Sequence, residues 1–413
     1  MSSTAKALKV STSATTIQSI HGLPQDIIAD IFSRLPVKYL LRFSCASKQS
    51  HLLISDPQFI KTQLNRTNEI EGQDINHRLR YGVLGFGGLP GSLSLSSVNY
   101  EASDHSSTEL THPSTNSRFY PEILGSCNGL LLVGLGGHTL VLWNPSIRKS
   151  DRISCSYHKY YEDRFRLYGL GYDSSINQYK VVSAVAPIRR HRYGFVDDHH
   201  GGMRTTRLHR TKVAVFNFKS TSSSRRVQEV PYKIASNAMA AVVNGAPHWV
   251  VSRGGEDDDY VIVYFDFVEE KLKEVPKPRW LDDITSKLFD LGVLKGCLCA
   301  VINDGVKGNS EVWVMKDYGM KESWTELIVI PSDCRWSRDK PFGFGRLVPL
   351  GLKKNGEFLM VADRARLIVY NPRKNTMEDI MLTQNDRFHG APYVESLVSP
   401  HHHEGDYGII GEK

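Results

Sequence analysis

Histidine and carboxylate groups are the residues of this chain whose types and spacing most readily suggest metal chemistry. Four histidines lie in one polar stretch, at His191, His199, His200 and His209, three more occupy residues 401–403, and acids fill residues 256–259. Imidazole and carboxylate oxygens are good metal ligands. Neither histidine group has a cysteine or a placed carboxylate nearby, and an acidic run after paired glycines is typical of a solvated hairpin tip. We therefore predict exposed side chains and no metal site.

Glycine and cysteine patterns offer no alternative chemistry. Residues 85–88 and 134–137 contain closely spaced glycines, but they lack the dinucleotide-binding spacing and a following helix, so we interpret them as turns beside strands. The cysteines are scattered without a Cys-x-x-Cys pair, which predicts neither a disulfide framework nor a zinc site. We predict no catalytic residue and no cofactor, which favours a binding protein over an enzyme.

A short helical unit is the first element that the sequence predicts. Within residues 23–64, apolar residues recur at helical spacing, and Pro24, Pro36 and Pro57 mark helix boundaries. The first helix carries its apolar residues on one wide face, at Ile27, Ile28, Ile31, Phe32 and Leu35. Four short helices cannot cover this much apolar surface internally, so we expect a helix of a partner protein to cover the rest.

This unit resembles an F-box of the kind found in plant proteins. The matching residues, in order, are Leu23-Pro24, Arg34-Leu35-Pro36-Val37, Phe43-Ser44-Cys45-Ala46-Ser47-Lys48, Leu53-Ile54-Ser55-Asp56-Pro57 and Phe59. Ser50 departs from the pattern, because the family usually has tryptophan there, and we expect looser packing of the third helix. The resemblance implies binding to a Skp1-like adaptor. We assign the apolar contact to Leu23, Pro24, Ile28, Ile31, Leu35, Pro36 and Leu40.

Beyond residue 80 the pattern changes to repeated short strands. Apolar, β-prone runs end in a polar turn residue at Asn144, Asn217, Asp266, Lys316 and Asn371, with most intervals about fifty residues, as in kelch-type propeller blades. Glycine turns precede four of them, at Asn128-Gly129, Asn244-Gly245, Lys295-Gly296 and Asn355-Gly356. We predict a large all-β domain, a β-propeller of about six blades closed by a strand at residues 393–398 that completes a blade begun near Tyr81. A two-sheet β-sandwich is the alternative.

One interval is longer, and an insertion at residues 188–210 explains it. The insertion has no steady apolar period and is rich in arginine and histidine. Long loops on a rigid scaffold are where binding residues concentrate, although a surface insertion without a partner is the alternative. We predict that Arg189, Arg190, Arg192 and Tyr193 bind substrate, which favours an acidic or phosphorylated segment.

Further motifs extend the family resemblance over residues 23–398. They are residues 125–131, 142–146, 169–173, 179–182, 243–249, 311–315 and 322–325. In this order they are similar to the plant F-box-associated interaction domain of F-box/kelch-repeat proteins, including the constitutive-defence-expresser and S-locus F-box kinds. The resemblance implies a substrate-recognition subunit of an SCF-type E3 ubiquitin ligase, whose adaptor links it to a cullin and a RING subunit. An unknown protein would be its substrate for ubiquitination and proteasomal degradation. A propeller-type glycan-binding or enzymatic protein with an incidental helical N-terminus is the alternative.

Length and charge set the expected organisation. A chain of 413 residues favours two domains. We expect a disordered leader at residues 1–20, an F-box at 21–66, the β domain at 67–398 and a flexible tail at 399–413. The net charge of +7 is mild, and its basic residues are interspersed with acids, so nucleic-acid binding is not expected. No apolar run approaches a membrane span or a signal peptide, which favours a cytoplasmic or nuclear location.

Overall fold

The computed structural model contains an N-terminal helical unit followed by an all-β domain. The described residues are 23–70, 82–87, 94–99, 107–110, 122–135, 139–154, 166–186, 211–217, 226–234, 239–254, 259–281, 289–303, 309–331, 334–336, 346–362, 366–380 and 390–400. The helices are α1 (Gln25–Ser33), α2 (Val37–Ala46), α3 (Lys48–Ser55) and α4 (Pro57–Ile70). None of the helices in these ranges is long and apolar enough to cross a membrane.

Local capping sets where the third and fourth helices begin. The Ser47 hydroxyl accepts a hydrogen bond from the Ser50 amide at 3.1 Å, which caps α3. The Asp56 carboxylate caps α4 by accepting from the amides of Gln58 and Phe59 at 2.8 and 3.0 Å. Ser50, the residue that departs from the F-box pattern, therefore donates its backbone amide to the cap of α3. α4 continues past residue 66, where the sequence placed the end of the helical domain.

Within the described residues, twenty-six short strands build the β domain. The first nine are β1 (Gly82–Gly87), β2 (Ser94–Asn99), β3 (Ser107–Leu110), β4 (Glu122–Cys127), β5 (Leu130–Gly134), β6 (Thr139–Asn144), β7 (Lys149–Ser154), β8 (Arg166–Asp173) and β9 (Gln178–Val185). The next nine are β10 (Thr211–Asn217), β11 (Arg226–Val230), β12 (Lys233–Ile234), β13 (Ala241–Val243), β14 (Ala246–Ser252), β15 (Tyr260–Asp266), β16 (Lys271–Val275), β17 (Asp290–Leu294) and β18 (Cys297–Asn303). The last eight are β19 (Ser310–Met315), β20 (Trp324–Ile330), β21 (Arg335–Trp336), β22 (Leu347–Leu352), β23 (Phe358–Ala362), β24 (Arg366–Asn371), β25 (Thr376–Asp379) and β26 (Gly390–Tyr393).

These strands form six sheets arranged in a closed ring. Five sheets are each built from strands that follow one another in the chain, namely β4–β7, β8–β11, β12–β16, β17–β20 and β21–β25. The remaining sheet joins the two ends of the domain, in the order β26-β1-β2-β3. Neighbouring sheets touch around a complete circuit, from β26 to β4, β8, β14, β17, β22 and back to β26. The predicted all-β propeller is therefore confirmed, and the two-sheet sandwich is wrong.

The ring is closed by a shorter strand than the sequence predicted. β26 pairs antiparallel with β1, from Gly82 opposite Tyr393 to Gly85 opposite Gly390. The residues that follow, 394–398, form no strand; they instead run beneath the helical unit. Closure pairs an edge of β1 that would otherwise be free to join other chains.

Alternation of antiparallel strands divides the connections between two faces of the ring. One face, which we call the near face, carries the turns β4–β5, β6–β7, β8–β9, β13–β14, β15–β16, β17–β18, β19–β20, β22–β23 and β24–β25. Left-handed backbone closes two-residue turns there, for example at Asn128 and Gly129, with φ of 52° and 80°. The predicted glycine turns are confirmed. The longest connections, such as residues 186–210 and 276–289, join strand ends on the opposite, far face.

The predicted polar residue at the end of a strand has a repeated structural role. Asn144 accepts a hydrogen bond from the Ser146 amide at 2.9 Å, and Asp266 accepts from the Val268 amide at 2.9 Å. Asn371 accepts from the Arg373 amide at 3.0 Å in the same way. Each side chain replaces a backbone acceptor in a tight turn, which explains why Asn or Asp recurs at blade intervals.

A buried ion triad joins the β8–β11 sheet to the next blade. The Lys180 ammonium lies 2.9 Å from Asp173 and 3.1 Å from Glu270, and it also donates to the Phe267 carbonyl at 3.1 Å. Burial alone would raise the pKa of Asp173, but hydrogen bonds from Lys180 and Ser175 outweigh it and lower that pKa. Burial opposes the charge of Lys180 as well, yet its two carboxylate partners leave the lysine pKa raised.

A buried histidine connects the next pair of blades. His248 is fully buried, its Nδ1 lies 2.9 Å from the Ala246 carbonyl, and its Nε2 lies 2.7 Å from the Tyr318 hydroxyl. The carbonyl can only accept, so Nδ1–H donates to it and Nε2 accepts from the tyrosine. The ring also stacks on Tyr264, with 5.5 Å between centroids. Burial lowers the pKa of His248 to about 4, so the imidazole is neutral near pH 7.

The ion triad predicts a large stability loss when its cation is removed. Lys180→Met leaves Asp173 buried without its partner, and we expect the free energy of unfolding to fall by about 3–5 kcal/mol. Urea denaturation measures this change. Lys212→Met is the matched control, because its pairing with Glu229 is exposed and 4.0 Å long, and it should cost less than about 1 kcal/mol. Equal losses in the two variants would contradict a stabilising role for the triad.

The neutral histidine predicts loss of stability in acid. The pKa of His248 is about 4 in the folded chain and 6.5 for an unperturbed histidine, so the unfolded chain binds the additional proton between these values. Stability from this group is complete above pH 6.5 and falls as the pH drops toward 4. Between pH 7 and 4.5 we expect a loss of about 2–3 kcal/mol. The loss should shrink in His248→Gln and persist in His51→Gln, at an exposed position; the same profile in all three proteins would refute this assignment.

Candidate functional site

An exposed apolar surface on the helical unit is the main candidate site. α1 divides its apolar residues between two sides: Phe32 is buried in the helical core, whereas Ile27 and Ile31 are 43 % and 45 % exposed. Leu23, just before the helix, is 50 % exposed. Ile27 and Ile31 lie one turn apart on the same side of α1, and with Leu23 before the helix they make a set of three exposed apolar residues. We call this the α1 stripe.

α2 and α3 extend the apolar surface. Tyr39 and Phe43 on α2 and Leu52 on α3 are exposed. The Phe43 ring stacks on the buried Phe32 ring with 5.1 Å between centroids, which fixes its position from below. Arg42 lies over the Tyr39 ring at 5.8 Å. Large apolar side chains grouped on one small unit mark an interaction site rather than an ordinary surface.

Most of the sequence-predicted contact residues lie at or near this surface, with one exception. Leu23, Pro24 and Ile31 are exposed, and Ile28, Leu35 and Pro36 are half-buried. Leu40 is fully buried and packs in the helical core with Phe32 and Phe59. The prediction that Leu40 offers contact surface is therefore corrected: its place on the inner side of α2 makes it a support for the helices.

Four exposed residues were not selected as contacts from the sequence, namely Ile27, Tyr39, Phe43 and Leu52. A signal for one of them was present, because Ile27 is one turn from Ile31 on the same helix. For the others, the sequence shows only apolar residues at helical spacing. Which side of α2 or α3 meets the core depends on how the helices cross, and that is a tertiary property.

Charged groups beside the α1 stripe tie α1 to α4. Arg66 of α4 donates to the Asp30 carboxylate and, at 3.0 Å, to the Asp30 carbonyl; Arg34 pairs with the same carboxylate at 3.1 Å. The hydrogen bond from Arg66 is the main reason that the pKa of Asp30 lies below its usual value. The carboxylate is thus charged and already paired, which leaves the neighbouring stripe apolar.

The helical unit is packed directly on the near face of the propeller. Leu397, from the segment after β26, is buried in the helical core, and Ile147 from the β6–β7 turn packs against it. Conversely, Leu64 of α4 is buried in the core of the propeller blades. The two parts therefore share apolar cores.

Hydrogen bonds fix the chain segment that carries Leu397. The Asn144 amide donates to the carbonyls of Ser396 and Val398 at 3.0 and 2.7 Å, and the Ser396 hydroxyl donates to the Asn128 carbonyl at 2.9 Å. Gly129 is needed beside it, because a Cβ there would collide with Ser396. The orientation of the helical unit, and of the exposed surface on it, thus follows from the propeller.

The metal-ligating side chains of the described residues are dispersed. In those ranges, no three His, Cys, Asp or Glu side chains gather where they could hold a metal ion. Asp259, the last residue of the acidic run, pairs with Arg253 at 2.9 Å and Lys277 at 3.1 Å. Gly85 and Gly134 lie within strands rather than turns. The two histidine groups fall outside the described residues.

The sequence-predicted substrate loop falls outside the described residues. Arg189, Arg190, Arg192 and Tyr193 all belong to this part of the chain, so their role stays a prediction. The chain leaves β9 and enters β10 at the far face, so this connection begins and ends opposite the helical unit.

Comparison with known proteins identifies both parts of the chain. The family described as F-box associated beta propeller domain matches residues 91–399, and the F-box domain family matches residues 20–62. F-box protein CPR1 of Arabidopsis thaliana is 31 % identical over 395 residues, covering 91 % of this chain and 88 % of the relative. A second Arabidopsis thaliana F-box protein is 29 % identical, covering 90 % and 89 %. An F-box/kelch-repeat protein of the same plant is 27 % identical, covering 92 % and 97 %.

Proposed function

Because this chain belongs to the family of F-box proteins with an F-box associated β-propeller domain, we propose that it is the substrate-recognition subunit of an SCF-type E3 ubiquitin ligase. The observation that carries the proposal is the exposed apolar surface of the F-box, formed by the α1 stripe with Tyr39, Phe43 and Leu52. A Skp1-like adaptor covers this surface and links the chain to a cullin and a RING subunit. The propeller binds the protein to be ubiquitinated and sent for proteasomal degradation.

The adaptor fits the surface by chemistry as well as by family. The α1 stripe runs along one helix and offers side chains at positions four residues apart, which is the pattern that another helix or a helical groove can bury. Because Asp30 is already paired with Arg34 and Arg66, docking beside it leaves no unpaired charge.

The contribution of this chain to the reaction is proximity. Holding a substrate near the charged E2 raises the effective concentration of substrate lysines at the thioester, and no acid, base or nucleophile from the receptor is needed. The shared core between F-box and propeller favours this role, because Leu397 and Leu64 limit relative movement of the two parts. A fixed receptor holds the substrate in a limited set of positions.

The far face of the propeller is the proposed substrate side. The near face is partly occupied by the F-box, whereas the longest connections join strand ends on the far face. Long loops on a rigid ring are suited to recognition. We assign recognition first to the 188–210 connection, whose Arg189, Arg190 and Arg192 would pair with an acidic or phosphorylated segment, beside Tyr193 as an apolar anchor.

A cytoplasmic or nuclear location fits this function. The thiols of Cys45, Cys127, Cys297 and Cys299 are free. Free thiols are the usual state in reducing compartments. The location itself is part of the proposal and is tested by imaging a fluorescently tagged chain.

Removing two exposed side chains from the α1 stripe tests adaptor binding. Ile27→Ala with Ile31→Ala should weaken binding of a purified Skp1-like adaptor roughly 30-fold, because about 2 kcal/mol of apolar burial is lost. The melting temperature should hardly change, since both side chains are half exposed. Ile176→Ala with Val268→Ala is the matched control, with equally exposed residues on the propeller. Surface plasmon resonance measures the affinities; undiminished adaptor binding by the α1 double variant would reject the assigned surface.

Neutralising the insertion tests substrate choice. Replacing Arg189, Arg190 and Arg192 by Ala should lengthen the cellular half-life of the substrate while adaptor co-purification stays intact. Proteome-wide turnover in cells that carry the triple variant as the only copy measures this effect. Arg373→Ala with Lys374→Ala, on an exposed near-face turn, removes basic charge elsewhere and should leave turnover normal. If no protein has a longer half-life in cells with the triple variant than in cells with the control variant, these arginines do not select the substrate.

A further inference from the structure

The β17–β20 blade exposes an unusual amount of apolar surface. Six large apolar side chains are exposed in the described part of the propeller, at Ile176, Val268, Tyr318, Met320, Leu327 and Val329. Four of these six belong to the single hairpin formed by β19, its near-face turn and β20. Apolar side chains scattered singly need no explanation, but a group on one hairpin indicates a contact surface.

The outermost strand of this blade carries fewer charges than the outermost strands of three other blades; the four-residue outer strand β3, with the sequence STEL, also carries a single charge. β7, β11 and β16 have the sequences KSDRIS, RVQEV and KLKEV, each with charged residues of both signs. β20 has the sequence WTELIVI and a single charge, on Glu326. In the β21–β25 sheet, the outer edge of β25 is paired with β21. Charged residues and covering strands are the usual means by which sheet edges are kept from pairing with other chains; among the described residues, β20 has one charge and no covering strand.

A bulge in β20 turns apolar side chains outward. The pairing with β19 shifts between Val312 and Trp313, where Val312 lies opposite Ile328 and Trp313 opposite Glu326. Leu327 is therefore the extra residue, and its side chain is 44 % exposed. Thr325, Glu326, Leu327 and Val329 are all exposed, and Ile328 is half-buried. Five consecutive residues thus offer both backbone hydrogen-bonding groups and apolar side chains.

The size of this edge decides what can occupy it. Five residues of strand extend about 17 Å, and at the roughly 10 Å depth of one sheet layer such a strip covers about 170 Å² on each partner. A stable dimer of two copies needs about 800 Å² per partner, so this edge cannot by itself hold a second propeller. The β20 edge is long enough for one extended peptide segment, and the protein that supplies this segment must also be bound at a second site.

We propose that the free edge of β20 binds an extended segment of the substrate protein by β-strand addition. Backbone groups of the segment pair with residues 325–329, alternate apolar side chains pack against Leu327 and Val329, and a Lys or Arg of the segment faces Glu326. This inference rests on the proposed function for the identity of the partner. It adds a site on the rim of the propeller to the loops of the far face.

Peptide selection with an edge-protected variant tests this site. A phage-displayed library of ten-residue peptides is selected on the full chain, with and without a Skp1-like adaptor, and the affinities of the selected peptides are measured by fluorescence anisotropy. Leu327→Lys with Val329→Lys introduces the lysines with which edges are commonly protected. Val268→Lys is the control, because it places the same charge at an exposed apolar position of another blade. Hydrogen exchange of the β20 amides is followed with and without peptide.

Strand addition predicts proline-poor peptides with alternating apolar residues. They should bind the wild type and Val268→Lys equally, bind the double-lysine variant about tenfold more weakly, and protect the β20 amides from exchange. Equal binding to the double-lysine variant, or unchanged β20 exchange, would overturn the proposal. So would a wild-type dimer that the lysines dissociate, since a second copy would then occupy the edge. Failure of the proposed function is distinguishable, because it appears as loss of adaptor binding while peptides still bind β20.

Discussion

The pairing of β26 with β1 is the interaction on which the rest of the structure depends. It closes the ring, and it delivers residues 394–400 to the near face immediately afterwards. There the Asn144 amide holds the segment in place, and Leu397 completes the core of the F-box. One strand pairing thus determines the closure of the propeller, the position of the F-box and the direction in which the α1 stripe faces.

The sequence predicted those features that follow from local chemistry. Asn128-Gly129 and its counterparts require left-handed backbone, which few residues adopt readily, so the turns can be recognised without tertiary information. Asn144, Asp266 and Asn371 end strands because their side chains accept hydrogen bonds from the next turn. Their recurrence at blade intervals predicted a propeller. The helices could be predicted equally well from the sequence, since prolines and helical spacing mark their limits.

Other features depend on contacts between distant segments, and the sequence alone could not supply them. Leu40 and Ile31 have the same apolar character, yet one is fully buried and the other is half exposed, because helix crossing decides which side faces the core. The pairing of Lys180 with Glu270 joins residues ninety positions apart. The closing strand was placed a few residues too late: Leu397 and Val398 are apolar because they are buried in the F-box core and in the blade core beside Leu64, and neither belongs to a strand.

The order of synthesis gives the ring closure a further consequence. Ribosomes add about 5–20 residues per second, so roughly 15–60 s separate the appearance of β1 from that of β26. During this time the nascent chain has an unpaired β1 edge, and its F-box lacks Leu397. Translation must therefore nearly finish before the F-box gains its complete core and its final orientation. A message cut short anywhere within the propeller yields an F-box with an incomplete core, so premature termination impairs the F-box together with the propeller.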